Sequence, residues 1–115
     1  MIYLFESEIP ENKSVLFALK YVYGIGSKNA VLICKKLGFA NNLKVKHLSK
    51  EQISLMLVRI ESLNLELASD LKKLKLLAVK KLVSIKSYRG LRLVQGLPIR
   101  GQRTHTNART ARKRK

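Results

Sequence analysis

From Leu71 to its end the chain carries fifteen Lys or Arg and no Asp or Glu. The first seventy residues carry nine basic residues and all seven acids. Within the basic part the stretch Tyr88–Thr110, with five Arg and no carboxylate, repels itself and has little to bury, so it is expected to be ordered by a large anionic partner rather than by its own core. The first part is read as an ordinary globular unit and the second as an electrostatic arm. A net charge of +17, with 46% hydrophobic residues, points to a folded domain that meets a polyanion.

A basic amphipathic membrane helix is the rival for such an arm. The most basic part is rich in Gly, Thr, Asn and Gln and lacks an apolar face, which argues against it. No stretch approaches the roughly 20 apolar residues of a membrane span. The acidic N-terminus, MIYLFESEIP, is unlike a secretory signal or an Arg-rich transit peptide. The expectation is that the chain works where it is made, or that an address has been removed. Cys34 is the sole cysteine, which excludes an intrachain disulfide and suits a reducing compartment. Neither a membrane nor a second copy of the chain is expected as partner.

Residues 2–12 read as a short edge strand or a packed lead-in. Residues 13–23 place Val15, Leu16, Leu19 and Val22 on one side of a helix that Gly24 stops. Gly24-Ile25-Gly26-Ser27-Lys28 then turns the chain into a second helix, with Ser27 as its expected N-cap. Ala30, Val31, Cys34 and Leu37 form that helix's apolar stripe, and Gly38 closes it. Ser49 and Gln52 make a capping box, with Leu48 stapled onto Ile53. The helix they start runs from Lys50 to Glu61, with Ile53, Met56, Leu57 and Ile60 facing the core. Ser69 or Asp70 is expected to cap a long helix reaching Lys86. Its stripe Leu71, Leu74, Ala78, Leu82 and Ile85 and a second stripe, Leu76, Val79 and Val83, predict packing on two sides. Its lysines, Lys72, Lys73, Lys75, Lys80 and Lys81, form either a solvated face or a diffuse nucleic-acid contact.

The fold class is therefore all-α: a small helical domain over 1–87, including the long basic helix, followed by an extended basic tail over 88–115. The stretch Tyr88–Thr110 shows no sustained period, so the tail is expected to be irregular, with its last basic residues disordered when free.

Two segments carry candidate chemistry. The Gly24–Lys28 hairpin turns open backbone N–H groups and a helix N-terminus toward a phosphate, as several nucleic-acid binders do. The plain alternative is a tight αα-turn that needs glycine for positive φ. The tail offers glycines for close approach and arginines that pair two-pronged with phosphate. Enzyme chemistry finds no footing. No carboxylate pair lies near the basic region, and there is no GxxxxGK[ST] or GxGxxG. Cys34 lies on an apolar stripe, and His47 has no Cys or second His nearby to hold zinc. His105, among arginines, reads as a stacking or hydrogen-bonding group for RNA. No cofactor or metal is expected. A long Gly-Arg-Thr-Asn arm, with Tyr88 its sole aromatic, suits a folded RNA better than a regular groove or a stacking platform.

The runs YRGLR, GLPIRGQRT and TNART resemble the signature of the universal small-subunit ribosomal protein thirteen family. Ile9-Pro10, the YGIG turn at Tyr23–Gly26, the capping box and the basic helix stand in the matching order. The resemblance implies a helix–two-turn–helix domain with an extended tail and a structural role in the ribosome. It implies contact with small-subunit ribosomal RNA in the head and with small-subunit protein nineteen. Across the subunit bridge it implies large-subunit protein five. Carried onto this sequence, Gly24, Gly26, Ser27 and Lys28 hold an RNA phosphate. Tyr88, Arg89, Gly90 and Arg92 engage ribosomal RNA. So do Arg100, Gly101, Gln102, Arg103, Thr104, Thr106, Asn107 and Arg109. Arg112, Lys113, Arg114 and Lys115 approach tRNA in the peptidyl site. Where the family has a basic cluster, Leu93-Val94-Gln95 is uncharged and suggests a protein contact. Thr104-His105-Thr106 resembles mitochondrial and related bacterial members; with the uncharged run, a mitochondrial ribosome and an organelle-encoded chain are expected, with a plastid or bacterial ribosome as alternative. A DNA-binding helix-hairpin-helix accessory protein is the other reading. A glycosylase or lyase on the same motif is a third, disfavoured by the missing carboxylates.

Overall fold

The computed structural model describes residues 2–114. It forms two compact units, residues 2–71 and 72–114, and the division falls within a long helix.

The first unit opens with a small hairpin, where the sequence offered a short edge strand or a packed lead-in. Strands β1 (Ile2–Leu4) and β2 (Ser7–Ile9) pair antiparallel in the register Ile2↔Ile9, Tyr3↔Glu8 and Leu4↔Ser7. The two turn residues, Phe5 at φ 45° and Glu6 at φ 64°, both take the left-handed conformation that tight hairpins need. Side chains avoid that region, so the turn is held by its flanking strands: Leu4 and Ile9 are buried in the core.

Helix α1 is short (Val15–Ala18) and continues as one 3-10 turn over Leu19–Tyr21. The predicted start at residue 13 fails because backbone at 13–15 is already engaged. Val15 N–H donates to the Leu43 carbonyl at 2.8 Å, and Val45 N–H to the Lys13 carbonyl at 3.1 Å. The interior face is as read: Val15, Leu19 and Val22 are buried, with Ala18 added.

Helix α2 (Ser27–Leu37) buries Ala30, Ile33 and Cys34. Val31, placed on the stripe from sequence, is exposed, and Ile33 takes its position. Gly38 closes the helix at φ 70°, where Phe39 N–H reaches the Cys34 carbonyl at 3.0 Å. Helix α3 (Lys50–Ser62) carries the capping box in full: Gln52 N–H donates to Ser49 Oγ, and Ser49 N–H to Gln52 Oε1. Met56 and Ile60 are buried on it, and Leu48 and Ile53 pack half-buried against the same core.

Helix α4 (Ala68–Ser84) begins before Ser69 and Asp70, which therefore lie inside its first turn rather than capping it. Its start is anchored by Ala68, whose N–H donates to the Tyr23 carbonyl at 2.9 Å. It ends short of Lys86, which adopts φ 55° and turns the chain. The expected two-sided packing is not found among the described residues. Leu74, Leu76, Leu77, Val79, Val83 and Ile85 are all exposed.

The second unit overturns the expectation of a wholly irregular tail. Residues Tyr88–Gln95 form helix α5, and Arg109–Lys113 form a short helix α6. Ser87 caps α5 by accepting from Gly90 N–H at 3.1 Å, while its hydroxyl donates to the Leu82 carbonyl at 2.9 Å. Gly96, at φ 71°, ends α5 in a Schellman arrangement, with Leu97 N–H reaching the Arg92 carbonyl at 3.0 Å. Only residues 97–108 match the irregular reading.

Candidate nucleic-acid interface

In the first unit the candidate element is the turn between the 3-10 turn and α2. Its two glycines differ in kind. Gly24 has φ 108°, and a methyl group there would lie 2.9 Å from the Glu66 carbonyl oxygen and from the Leu67 side chain. Its glycine is required by the fold itself. Gly26 has φ −93°, which any residue adopts, and a methyl group there would meet nothing within 4 Å. Nothing inside the chain requires a glycine at this position.

Ile25, between the two, is buried and pins the turn to the core. Gly26, not Ser27, is the N-cap of α2, and no side chain caps it. Ser27 instead occupies the first helical position. The first intrahelical bond is Ala30 N–H to the Gly26 carbonyl at 3.0 Å, so the N–H groups of residues 27–29 lie ahead of the helix's own hydrogen-bond ladder. Gly26, Ser27 and Lys28 are exposed. The element thus presents a bare helix start, a cation and a glycine with free space above it.

In the second unit Tyr88 and Arg92 lie one turn apart on α5. The guanidinium lies over the ring at 5.4 Å and Nε donates to the phenol oxygen at 2.9 Å. Together with exposed Arg89 they present a pre-set cationic and aromatic edge. Gly90 is different: it is buried, and its role lies inside the chain.

Residues Arg100, Gly101, Gln102, Arg103, Thr104, Thr106 and Asn107 are all exposed. Gly101 has φ 67° with open space where a side chain would be. The loop then doubles back. Thr106 (φ 61°) and Ala108 (φ 68°) are both left-handed, and Arg112 donates to the Asn107 carbonyl at 2.6 Å. The result is an open cleft of about 620 Å³ over buried Pro98 and Ala111, with Arg103, Arg109 and Arg114 on its walls beside Gln102 and Asn107. Three guanidinium groups and no carboxylate give the cleft donors of the kind that pair with anionic oxygens. Sequence reasoning picked out most of these residues but missed the cleft. Its shape depends on Ala108 at positive φ, and nothing in the residue type announces that. Arg112 and Lys113 lie on α6, so the expected free terminal run is helical as far as Lys113, and Lys115 lies outside the described residues.

Among the described residues no cluster of His, Cys, Asp or Glu is arranged to hold a metal, and no helix is long and apolar enough to cross a membrane. Burial pushes the Cys34 thiol above its ordinary range, as suits a structural side chain rather than a nucleophile.

The family model described as ribosomal protein S13/S18 matches residues 3–110. The chain belongs to that family. Relatives agree over almost the full length. The chain is 44% identical to small ribosomal subunit protein uS13m of Marchantia polymorpha, covering 98% of this chain and 93% of that one. It is 42% identical to uS13m of Daucus carota, covering 98% and 97%. It is 42% identical to uS13c of Gracilaria tenuistipitata, covering 91% and 82%. As a member of this family the chain is a structural constituent of the small ribosomal subunit and not an enzyme. The relatives named uS13m support a mitochondrial location.

Proposed function

We propose that the chain binds ribosomal RNA of the small-subunit head through two separate elements. The Gly24–Lys28 turn takes one RNA phosphate on the bare start of α2, with Lys28 adding a point charge. The second element is the tail: Tyr88, Arg89 and Arg92 on α5, then Arg100 through Arg109. The observation that carries this reading is the cleft walled by Arg103, Arg109 and Arg114, in a segment without a single acid. Folded RNA supplies backbone oxygens at the irregular spacing such a surface fits.

The finer placement rests on the family's architecture. Arg112, Lys113, Arg114 and Lys115 approach tRNA in the peptidyl site. The globular unit touches small-subunit protein nineteen and contributes to the bridge with large-subunit protein five. The chain works in a mitochondrial ribosome and is encoded in the organelle.

The test is the salt dependence of binding to a head-domain RNA fragment. Affinity falls steeply as salt rises, and deleting residues 88–115 flattens the slope. An unchanged slope on deletion would move the RNA site elsewhere. Co-sedimentation with small subunits is the companion measurement, and recovery only as free protein at physiological salt would sink the assignment.

A further inference from the structure

One surface of the second unit is left over by RNA binding. Leu76, Val79 and Val83 lie at i, i+3 and i+7 on α4, and all three are exposed. The stripe continues onto α5 with Leu91 and Val94, which are 55% and 53% exposed. Where the two helices meet, Val83, Leu91 and Val94 line a cleft of about 280 Å³ together with Lys86 and Ser87. Leu93, in the uncharged run Leu93-Val94-Gln95, turns half inward, so it is Leu91 and Val94 that form the apolar face.

RNA does not explain this surface, because phosphates and sugars gain nothing from leucine and valine side chains held in water. The cleft is below the usual size of a small-molecule pocket, roughly 300–1,000 Å³, and it opens onto an aliphatic row. Its dimensions suit one or two aliphatic side chains from another helix. From Leu76 to Val83 the row runs about 10 Å along α4, and an amphipathic helix of roughly three turns would cover it and the α5 face together.

The charge around the row selects the occupant. Lys86 lines the cleft and Lys80 flanks the row on α4; both are exposed, and residues 71–115 contain no acid. A second copy of the chain would bring the same sign to the same place and be repelled. We propose that the α4–α5 face docks an amphipathic helix of another protein, its Leu, Ile or Val row flanked by Asp and Glu. The aliphatic row supplies burial, and the basic rim sets partner choice and orientation. The proposal does not depend on the RNA reading, since it uses a different set of side chains.

The full chain is titrated with three labelled synthetic peptides and followed by fluorescence anisotropy. One has leucines at i, i+3, i+4 and i+7 flanked by glutamates. The second replaces the glutamates with lysines. The third scrambles the acidic peptide, keeping charge and composition. The acidic amphipathic peptide is expected to bind about tenfold or more tightly than the scramble, and the lysine version not at all. Val83→Asp and Val94→Asp each cost about tenfold, whereas Arg103→Ala costs less than about twofold. Both positions are exposed, and Val94→Gln, with helical dichroism as a check, gives a milder variant with the same direction. Equal binding of the acidic peptide and its scramble, or indifference to Val94→Asp, overturns the proposal. In assembled small subunits a photo-crosslinking residue in place of Val94 should attach to a protein segment with an acid-flanked apolar row. Attachment to RNA alone, to a basic segment or to a second copy, or no adduct, overturns it.

Discussion

Gly90 lies directly against the carbonyl of Leu82: a methyl group on its α-carbon would sit 2.4 Å from that oxygen and 2.8 Å from the Val83 nitrogen. The contact is backbone on backbone, so no side chain can yield. It sets the approach of α5 to the end of α4, and Ser87 locks it by bonding both Leu82 and Gly90. Gly90→Ala therefore forces the two helices apart. The expected cost is about 1–3 kcal/mol, in the range of overpacked sites. Calorimetry or thermal dichroism should show the loss. An unchanged melting temperature would mean that the crossing adapts at no cost.

The two glycines of the phosphate turn separate folding from binding. Gly24→Ala meets both a positive φ and the Glu66 carbonyl, and should cost about 1–3 kcal/mol of stability. Gly26→Ala meets neither and should leave stability within about 0.5 kcal/mol. If an RNA phosphate seats on the start of α2, Gly26→Ala nonetheless weakens RNA binding by crowding it. Filter binding and urea melts on the same pair of variants decide this. Equal RNA affinity for Gly26→Ala and the natural chain would remove the turn from the interface.

The capping box predicts a loss confined to the fold. Ser49→Ala removes the acceptor for Gln52 N–H, while the reciprocal bond, donated by the backbone N–H of residue 49 to Gln52 Oε1, can remain. A cost of about 1 kcal/mol is expected in urea denaturation, with RNA affinity unchanged.

These helices were the legible part of the chain. Ser49 with Gln52, Gly38 after an apolar stripe, and Ile53 through Ile60 at helical spacing each act within a few residues, so sequence alone exposes them. The hairpin was not legible because its turn is Phe5-Glu6, where Asn-Gly would have marked it, and the left-handed pair is paid for by burying Leu4 and Ile9. Helix α5 was hidden by Gly90, which looks like a breaker in sequence yet is demanded by the crossing over Leu82. The arginines of the tail were legible by charge. The cleft they line was not, because it rests on Thr106 and Ala108 at positive φ.

The buried thiol gives a pH prediction. Burial raises the Cys34 pKa in the folded state, so the folded chain holds that proton more tightly than the unfolded chain does. Below the unfolded value, about 8.5, both states are protonated and the group contributes no pH dependence. Above it the unfolded state ionises first, and stability falls as pH rises toward the folded value. Urea denaturation at pH 7 and pH 9.5 should show a decline that is smaller in Cys34→Ala. The same decline in both proteins would assign it to other groups. Thiol reagents should likewise label Cys34 slowly until the chain is unfolded.

The arginine cleft makes the sharpest claim about the tail. If Arg103 and Arg109 each neutralise a phosphate, Arg103→Ala with Arg109→Ala should reduce the slope of log affinity against log salt by about 1.5. Lysine replacements should keep most of the slope, because charge is retained, yet lose affinity, because a point charge cannot replace a planar fork. Both arginines are exposed, so melting temperature should not move. A double-alanine variant with an unaltered slope would show that the cleft faces away from RNA, leaving Arg89, Arg92 and Arg100 to carry the contact.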